Sequence, residues 1–434
     1  MRRTWILMAA CAITLSAVEA FACTGLLVGK KASVDGSVMI SYAADSHTLY
    51  GELYRWPAVT WPKGAMLDII EWDTHKPLGQ IPQVEQTYSV VGNMNEHQVA
   101  ITESTFGGRS ELVDTTGIMD YGSLIYVTLQ RSKTAREAIR IMTDLVKDYG
   151  YYSSGGTFSI ADKNEAWVME MIGKGPGNKG AVWVAIRIPD DCISAHANQS
   201  RIQQIPFDDK ENCIYSPDVV SFAREKGYFS GKDKDFSFQK AYCPYDFSAL
   251  RGCEARVWSF FRKYDKSMDQ YMDLIKGDVT KKPMPLYVKP NRLLSVQDVQ
   301  NGMRDHFEGT DLDMTKDAGA GPYKVPYRWR PMTFEVDGQE YTNERAIATQ
   351  QTGFVIVPQM RNWLPDAVGG ILWFGVDDAD MAVFTPIYCS VTASPECYRV
   401  GNGDMMNFSW TSAFWIHNWV ANMAYGKYNY MIQD

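Results

Sequence analysis

Cys23-Thr24-Gly25-Leu26-Leu27-Val28-Gly29-Lys30-Lys31-Ala32-Ser33-Val34-Asp35-Gly36-Ser37 is the stretch from which the rest of the chain is best read. Thr24 to Gly29 is a short apolar run, Asp35-Gly36 is a hairpin-type turn, and Val38 to Ala43 resumes a strand-like pattern. A β-hairpin is therefore expected to open at Cys23. Immediately upstream, Arg2 and Arg3 precede an apolar run from Trp5 to Val18, and Ala20-Phe21-Ala22 forms a small-x-small cleavage site. Residues 1–22 thus read as a secretory signal peptide, leaving Cys23 as the first residue of an exported chain, periplasmic or extracellular. The apolar run is shorter than the roughly 20 residues of a spanning helix, so no integral membrane segment is expected.

A cysteine uncovered in this way carries a free α-amine beside its own thiol. With an ordinary pKa near 8, that amine is suited to act as general base for the sulfur, with no separate histidine. The rival reading of Cys23 is a lipid attachment site on a surface binding protein. Lipoprotein signals typically place Leu three positions before the cysteine, and here Ala20 and Phe21 occupy the third and second positions.

Outward from this point the chain is ordinary in composition: 434 residues, 45% hydrophobic and 22% charged, enough for a sizeable core. Loss of residues 1–22 removes Arg2, Arg3 and Glu19, leaving 41 basic against 50 acidic residues, a net charge of −9. An acidic chain with no basic stripe gives no electrostatic reason to expect nucleic acid as a partner. Cys11 also leaves, so seven cysteines remain. In an oxidising compartment six can pair, and local spacing suggests Cys243 with Cys253, Cys389 with Cys397, and Cys192 with Cys213, with Cys23 left single. Six reduced, buried thiols are the alternative.

Strands are expected at Gln98 to Thr105, Thr157 to Ala161, Ala166 to Ile172 and Val182 to Ile188, and again at Gly353 to Val357 and Gly370 to Phe374. Thr134-Ala135-Arg136-Glu137 is a capping box opening a helix whose apolar face runs through Ala138, Ile141, Met142, Leu145, Val146 and Tyr149 to a stop at Gly150. Hairpin-clustered strands mixed with helices argue for layered α+β with antiparallel sheets. Residues from about 215 to 299 read as a helical insertion, with Asp265 to Lys276 amphipathic, and Thr310 to Gly338 as a long irregular segment. Ser412 to Met431 is an aromatic-rich helical pattern that ends without a capping signal, as a truncated C-terminus would. Trp415, Trp419 and Met423 recur there at helical spacing and are expected in the core.

The six histidines, at 47, 75, 97, 196, 306 and 417, show no His-Glu-x-x-His or paired-ligand spacing, so neither a zinc site nor any other cofactor is expected. There is no Gly-x-Ser-x-Gly elbow and no phosphate-cradling Gly-Lys-Ser/Thr loop.

The opening motif resembles that of the C69-type dipeptidases, N-terminal nucleophile hydrolases. Gly92-Asn93-Met94-Asn95-Glu96, Phe106-Gly107-Gly108-Arg109, Ala195-His196-Ala197-Asn198-Gln199 and Ser412-Ala413-Phe414-Trp415 are similar to later stretches of that family. The resemblance spans nearly the whole mature chain, residues 23–434. It implies an αββα sandwich, with the helical insertion and a C-terminal elaboration, that cleaves the amide bond of dipeptides through Cys23 and an acyl-enzyme. The wider group also holds penicillin V acylases and bile salt hydrolases, so an N-acyl amide substrate is the alternative.

Site residues follow from the resemblance. The wider group has an Arg-x-x-Asp element after the cysteine; here Tyr42-Ala43-Ala44-Asp45 stands in its place, keeping Asp45 to position the α-ammonium but lacking the arginine. Asn198 falls where the family has its oxyanion-stabilising asparagine, and Asn95 is a second candidate donor. Arg256 resembles the late arginine that biases the thiol toward thiolate. Glu103 and Arg201 lie close to family motifs without an assigned role, and His196 is expected to be a packed polar residue.

Overall fold

Leu26 and Val28 leave their strand on one side and Leu27 on the other, and all three are fully buried. That alternation decides the architecture, because a strand buried on both faces needs apolar partners above and below it. The computed structural model of the protein describes residues 23–328 and 332–433. The expected signal peptide and Asp434 lie outside the described residues.

The opening hairpin forms as expected. Strand Gly25–Val28 pairs antiparallel with Val38–Ile40, Leu27 opposite Ile40. The turn between them is set by the Asp35 carboxylate, which accepts from the Ser37 amide at 3.0 Å, and by Gly36 at φ 81°. This hairpin sits inside an eight-stranded sheet ordered Tyr287–Val288, Ile193–His196, Gly25–Val28, Val38–Ile40, Thr352–Met360, Ile371–Val376 and Thr385–Tyr388, with Tyr42–Asp45 also on Thr352–Met360. A second eight-stranded sheet runs Cys213–Tyr215, Ala181–Ile188, Ala166–Gly173, Gly155–Ala161, Ala100–Gly107, Met94–Asn95, Val90–Val91 and Arg55–Trp56.

Three of the four apolar clusters among the described residues cover the faces of these sheets, and the fourth gathers Cys23, Tyr42 and Phe354. Leu27, Val38 and Ile40 of the first sheet pack with Ala100, Val168, Val182 and Val184 of the second. Leu26, Val28 and Met39 instead meet Val257, Trp258 and Phe260 of helix Ala255–Tyr264 and Met303 of helix Val296–Met303. Ile101, Phe158, Trp167 and Met169 meet Leu124 of helix Tyr121–Leu129 and Ala138 and Met142 of helix Ala135–Tyr149. The fold is therefore mixed α and β with antiparallel sheets, as the hairpin pattern predicts. The last helix starts where the capping box places it: Thr134 Oγ1 accepts from the Glu137 amide at 3.2 Å, and Gly150, at φ 78°, ends it.

Three expectations need correction or refinement. The segment read as a helical insertion is helical, but helix Ala255–Tyr264 and strand Tyr287–Val288 belong to the main core and the first sheet. All seven described cysteines are free thiols, so the three disulfides read from spacing are not formed; Cys243 and Cys389 point their sulfurs at the carbonyls of Phe106 and Asp366 instead. Helix Ala413–Tyr425 turns a different face inward: Phe414, Ala421 and Ala424 are buried and Trp415 packs half-buried against the core, while Trp419 and Met423 are 49% and 55% exposed. The alanines let the helix approach closely, and Trp419 meets Phe408 at a tilt and Trp410 edge-on outside. No helix among the described residues is long and apolar enough to cross a membrane.

Candidate active site

Cys23 is held at the start of the first strand by the bridge between Thr24 and Ala43, whose amide donates to the Thr24 carbonyl at 3.0 Å. Its thiol lines a cavity of about 870 Å³ and lies 3.5 Å from the hydroxyl of Tyr42. Burial pushes this thiol up to about 12, and the Glu103 and Asp45 carboxylates add to the rise; the Tyr42 hydroxyl and the Asp45 backbone amide oppose it. In the full chain the nitrogen of Cys23 is a peptide nitrogen following Ala22, so no α-amine stands beside the sulfur.

The carbonyl side of Cys23 is gripped by Arg256, in the first turn of helix Ala255–Tyr264. Its Nη1 donates to the Cys23 carbonyl and to Thr24 Oγ1, each at 2.8 Å. Its Nη2 donates to Asn198 Oδ1 at 2.9 Å, and its Nε to the Gly252 carbonyl at 2.7 Å. Burial, and after it Arg345, brings the Arg256 guanidinium down to about 10, which leaves it charged at neutral pH.

Asn198 occupies the left-handed region at φ 54°, which asparagine tolerates better than most residues. Its Nδ2 donates to the Thr105 carbonyl at 2.7 Å. The loop behind it is tied down by the buried Glu170 carboxylate, which accepts from the Arg201 and Ile202 amides, and by the buried ion pair of Arg201 with Glu254 at 2.9 Å. Three of the expected site residues, Cys23, Asn198 and Arg256, are thus directly connected.

Asp45 joins them from the third strand, and its partner is one the sequence reading missed. Arg345 Nη2 donates to Asp45 Oδ2 at 2.6 Å, and Thr352 Oγ1 donates to Oδ1 at 2.7 Å. Burial raises the Asp45 carboxyl above its ordinary value, with Arg345 and Thr352 working against that rise. The cation absent at Tyr42 is therefore supplied from a distant part of the chain.

Asn95 is placed differently from the expectation. Its Nδ2 donates to the carbonyls of Leu129 and Ser132, both at 2.7 Å, while its oxygen accepts from the His97 and Val99 amides. With both amide hydrogens committed to a turn, it has no donor left for a substrate. Asn93, two residues earlier, does line the cavity with Cys23, and gives one amide hydrogen to the Ile101 carbonyl at 2.9 Å. His196 is packed as expected: it bonds Ser104 Oγ at 2.6 Å and Ser159 Oγ at 2.7 Å, and burial, with Arg201 and Arg256 beyond it, takes it down to about 3.

Glu103, named from the sequence without a role, has its carboxyl lifted to about 8 by burial, with Thr105 Oγ1 donating to it at 2.8 Å. A glutamate inside the strand Ala100–Gly107, otherwise apolar, hydroxylated or glycine, was a visible signal for it.

A family model described as Peptidase family C69 matches residues 22–434. A probable dipeptidase of Latilactobacillus sakei is 26% identical over 435 residues, covering 95% of this chain and 82% of that protein. A probable dipeptidase of Salmonella dublin is 25% identical over 401 residues, with 87% and 83% covered. Dipeptidase A of Lactobacillus helveticus is 24% identical over 433 residues, with 94% and 83% covered. With the family match running from the residue before Cys23 to the last residue of the sequence, the chain belongs to peptidase family C69.

Proposed function

We propose that this protein is an exported dipeptidase in which removal of residues 1–22 makes Cys23 the N-terminal nucleophile, within an αββα sandwich of the N-terminal nucleophile type. The observation that carries the reading is the split environment of Cys23: its thiol lines the cavity while its carbonyl is fixed by Arg256 at 2.8 Å. A residue held from behind with its sulfur toward a cavity is oriented for attack. The sandwich is supported by the apolar clusters on both faces of both sheets, and the substrate class by the relatives named as dipeptidases.

The released α-amine takes the thiol proton, and the thiolate attacks the scissile carbonyl. The tetrahedral oxyanion is met by donors at Asn198 and Asn93, the latter replacing Asn95 in this role. The amine then protonates the leaving nitrogen, and water, deprotonated by the same amine, hydrolyses the thioester. Asp45, held by Arg345, steadies the charge that the amine acquires.

Mass spectrometry of the secreted protein tests the first step, with a free Cys23 expected at the N-terminus. An acylated Cys23 would refute the reading. Cys23→Ser should fold normally and lose at least about 10³-fold of dipeptide hydrolysis; retained activity would remove the thiol from the mechanism.

A further inference from the structure

The cavity holding the Cys23 thiol has one chemical bias throughout. Asp45, Glu52, Asp68, Glu71 and Asp73 line it, and among the described lining residues there is no lysine or arginine. Its second feature is a set of mutually packed rings: Trp56 and Trp72 both lie against Tyr126, with centroids 4.3 and 4.7 Å away, and Tyr54 lies 4.8 Å from Trp72. All four rings line the same cavity as the thiol.

These features meet at Tyr121. Its hydroxyl donates to Asp73 Oδ1 at 2.9 Å. Tyr121 lines the cavity together with Cys23 and Asp73, so the phenol and the exposed carboxylate it holds share the chamber of the thiol. Asp73 follows Trp72 directly in the chain, and both residues line the cavity.

In a substrate with a free amino terminus, two bonds separate the α-ammonium from the carbonyl under attack. Whatever holds that ammonium must therefore lie within a few ångströms of the sulfur, and the first side chain must diverge from the same carbon. We infer that Asp73, hydrogen-bonded to Tyr121, seats the α-ammonium of the substrate's first residue, and that Tyr54, Trp56, Trp72 and Tyr126 take its side chain. The selected substrate is a dipeptide with an unblocked amine and an aromatic first residue. Ring faces favour both apolar side chains and nearby cations, so the two halves of the seat reinforce each other. The inference rests on the reading of Cys23 as the nucleophile.

The experiment compares the processed enzyme on Phe-Gly, Ala-Gly and 3-phenylpropionyl-glycine, the last being Phe-Gly without its amine. The expected kcat/KM for Phe-Gly exceeds that for the des-amino compound by about 100-fold or more, and that for Ala-Gly by about tenfold or more. Asp73→Asn, at an exposed position, should keep its fold and shrink the first ratio about tenfold, mainly through KM. Equal hydrolysis of Phe-Gly and its des-amino analogue by the wild type, or an unchanged ratio in Asp73→Asn, overturns the ammonium seat alone. A preference for Ala-Gly overturns the side-chain assignment. Failure to cleave any dipeptide overturns the nucleophile reading itself, and this inference with it.

Discussion

Arg345 and Asp45, 300 positions apart in the chain, meet at 2.6 Å with both side chains buried. Asp45 stands in the element whose arginine is replaced by Tyr42, and Arg345 restores a cation to that neighbourhood by a route only the tertiary fold provides. Arg345 also bears on Arg256, which holds the Cys23 carbonyl. One guanidinium thus holds the Cys23 carbonyl and a second holds the Asp45 carboxylate of the cavity wall.

Breaking this pair from one side leaves a buried carboxylate without its partner. Arg345→Met should destabilise the protein by about 3–5 kcal/mol, and adding Asp45→Asn should recover much of the loss. Urea unfolding of both variants checks this, and no recovery in the double variant would argue that Arg345 stabilises through its other contacts.

The Cys23 thiol sits near 12 in the full chain because of burial and two carboxylates. An ammonium released beside it by processing favours the thiolate. Iodoacetamide should therefore label processed protein readily at pH 7–8, while full-length protein reacts slowly until the pH is far higher. Peptide mass spectrometry across a pH series distinguishes these profiles, and coincident curves would disprove the coupling.

Glu103 is lifted from 4.5 to about 8 by burial, so the folded state keeps a proton there that the unfolded chain releases. Stability falls as pH rises between those values, because the native state binds the extra proton. Glu103→Gln removes that slope: its melting temperature should match the wild type near pH 4.5 and exceed it by a few degrees, about 2–5 °C, at pH 8. A gap that does not widen with pH would contradict the assignment.

Asn95 and Asn93 should separate stability from turnover. Asn95→Ala removes four hydrogen bonds of a buried turn and should cost about 2–4 kcal/mol with kcat of the folded enzyme little changed. Asn93→Ala should lower kcat about 10²-fold if it donates to the oxyanion. Denaturation and steady-state kinetics on the same preparations decide between them.

What was legible in the sequence was what neighbouring residues determine. Asp35-Gly36 forms its turn and Thr134 its cap because both signals act over a few positions. Arg256 and Asn198 were legible through the resemblance, and the structure joins them at 2.9 Å. Arg345 was hidden because nothing near it points to Asp45. Trp419 misled because helical spacing specifies a stripe but not which stripe faces inward; Phe414 with the small Ala421 and Ala424 forms the buried face. Cysteine spacing failed for a related reason, since short separation along the chain does not aim two sulfurs at each other.

Chain ends ordinarily fray, and an enzyme whose working group is its first residue, as proposed for this one, must overcome that tendency. Arg256 does so by clasping Cys23 through its carbonyl and Thr24 through its hydroxyl, so the grip is independent of anything upstream. Such an anchor leaves the terminus no slack. A leader trimmed one residue short would leave Ala22 capping the amine, one trimmed a residue too far would discard the sulfur, and neither error can be absorbed by sliding the strand. On the proposed mechanism, fidelity of that cut, more than its speed, would govern how much of the released protein is active.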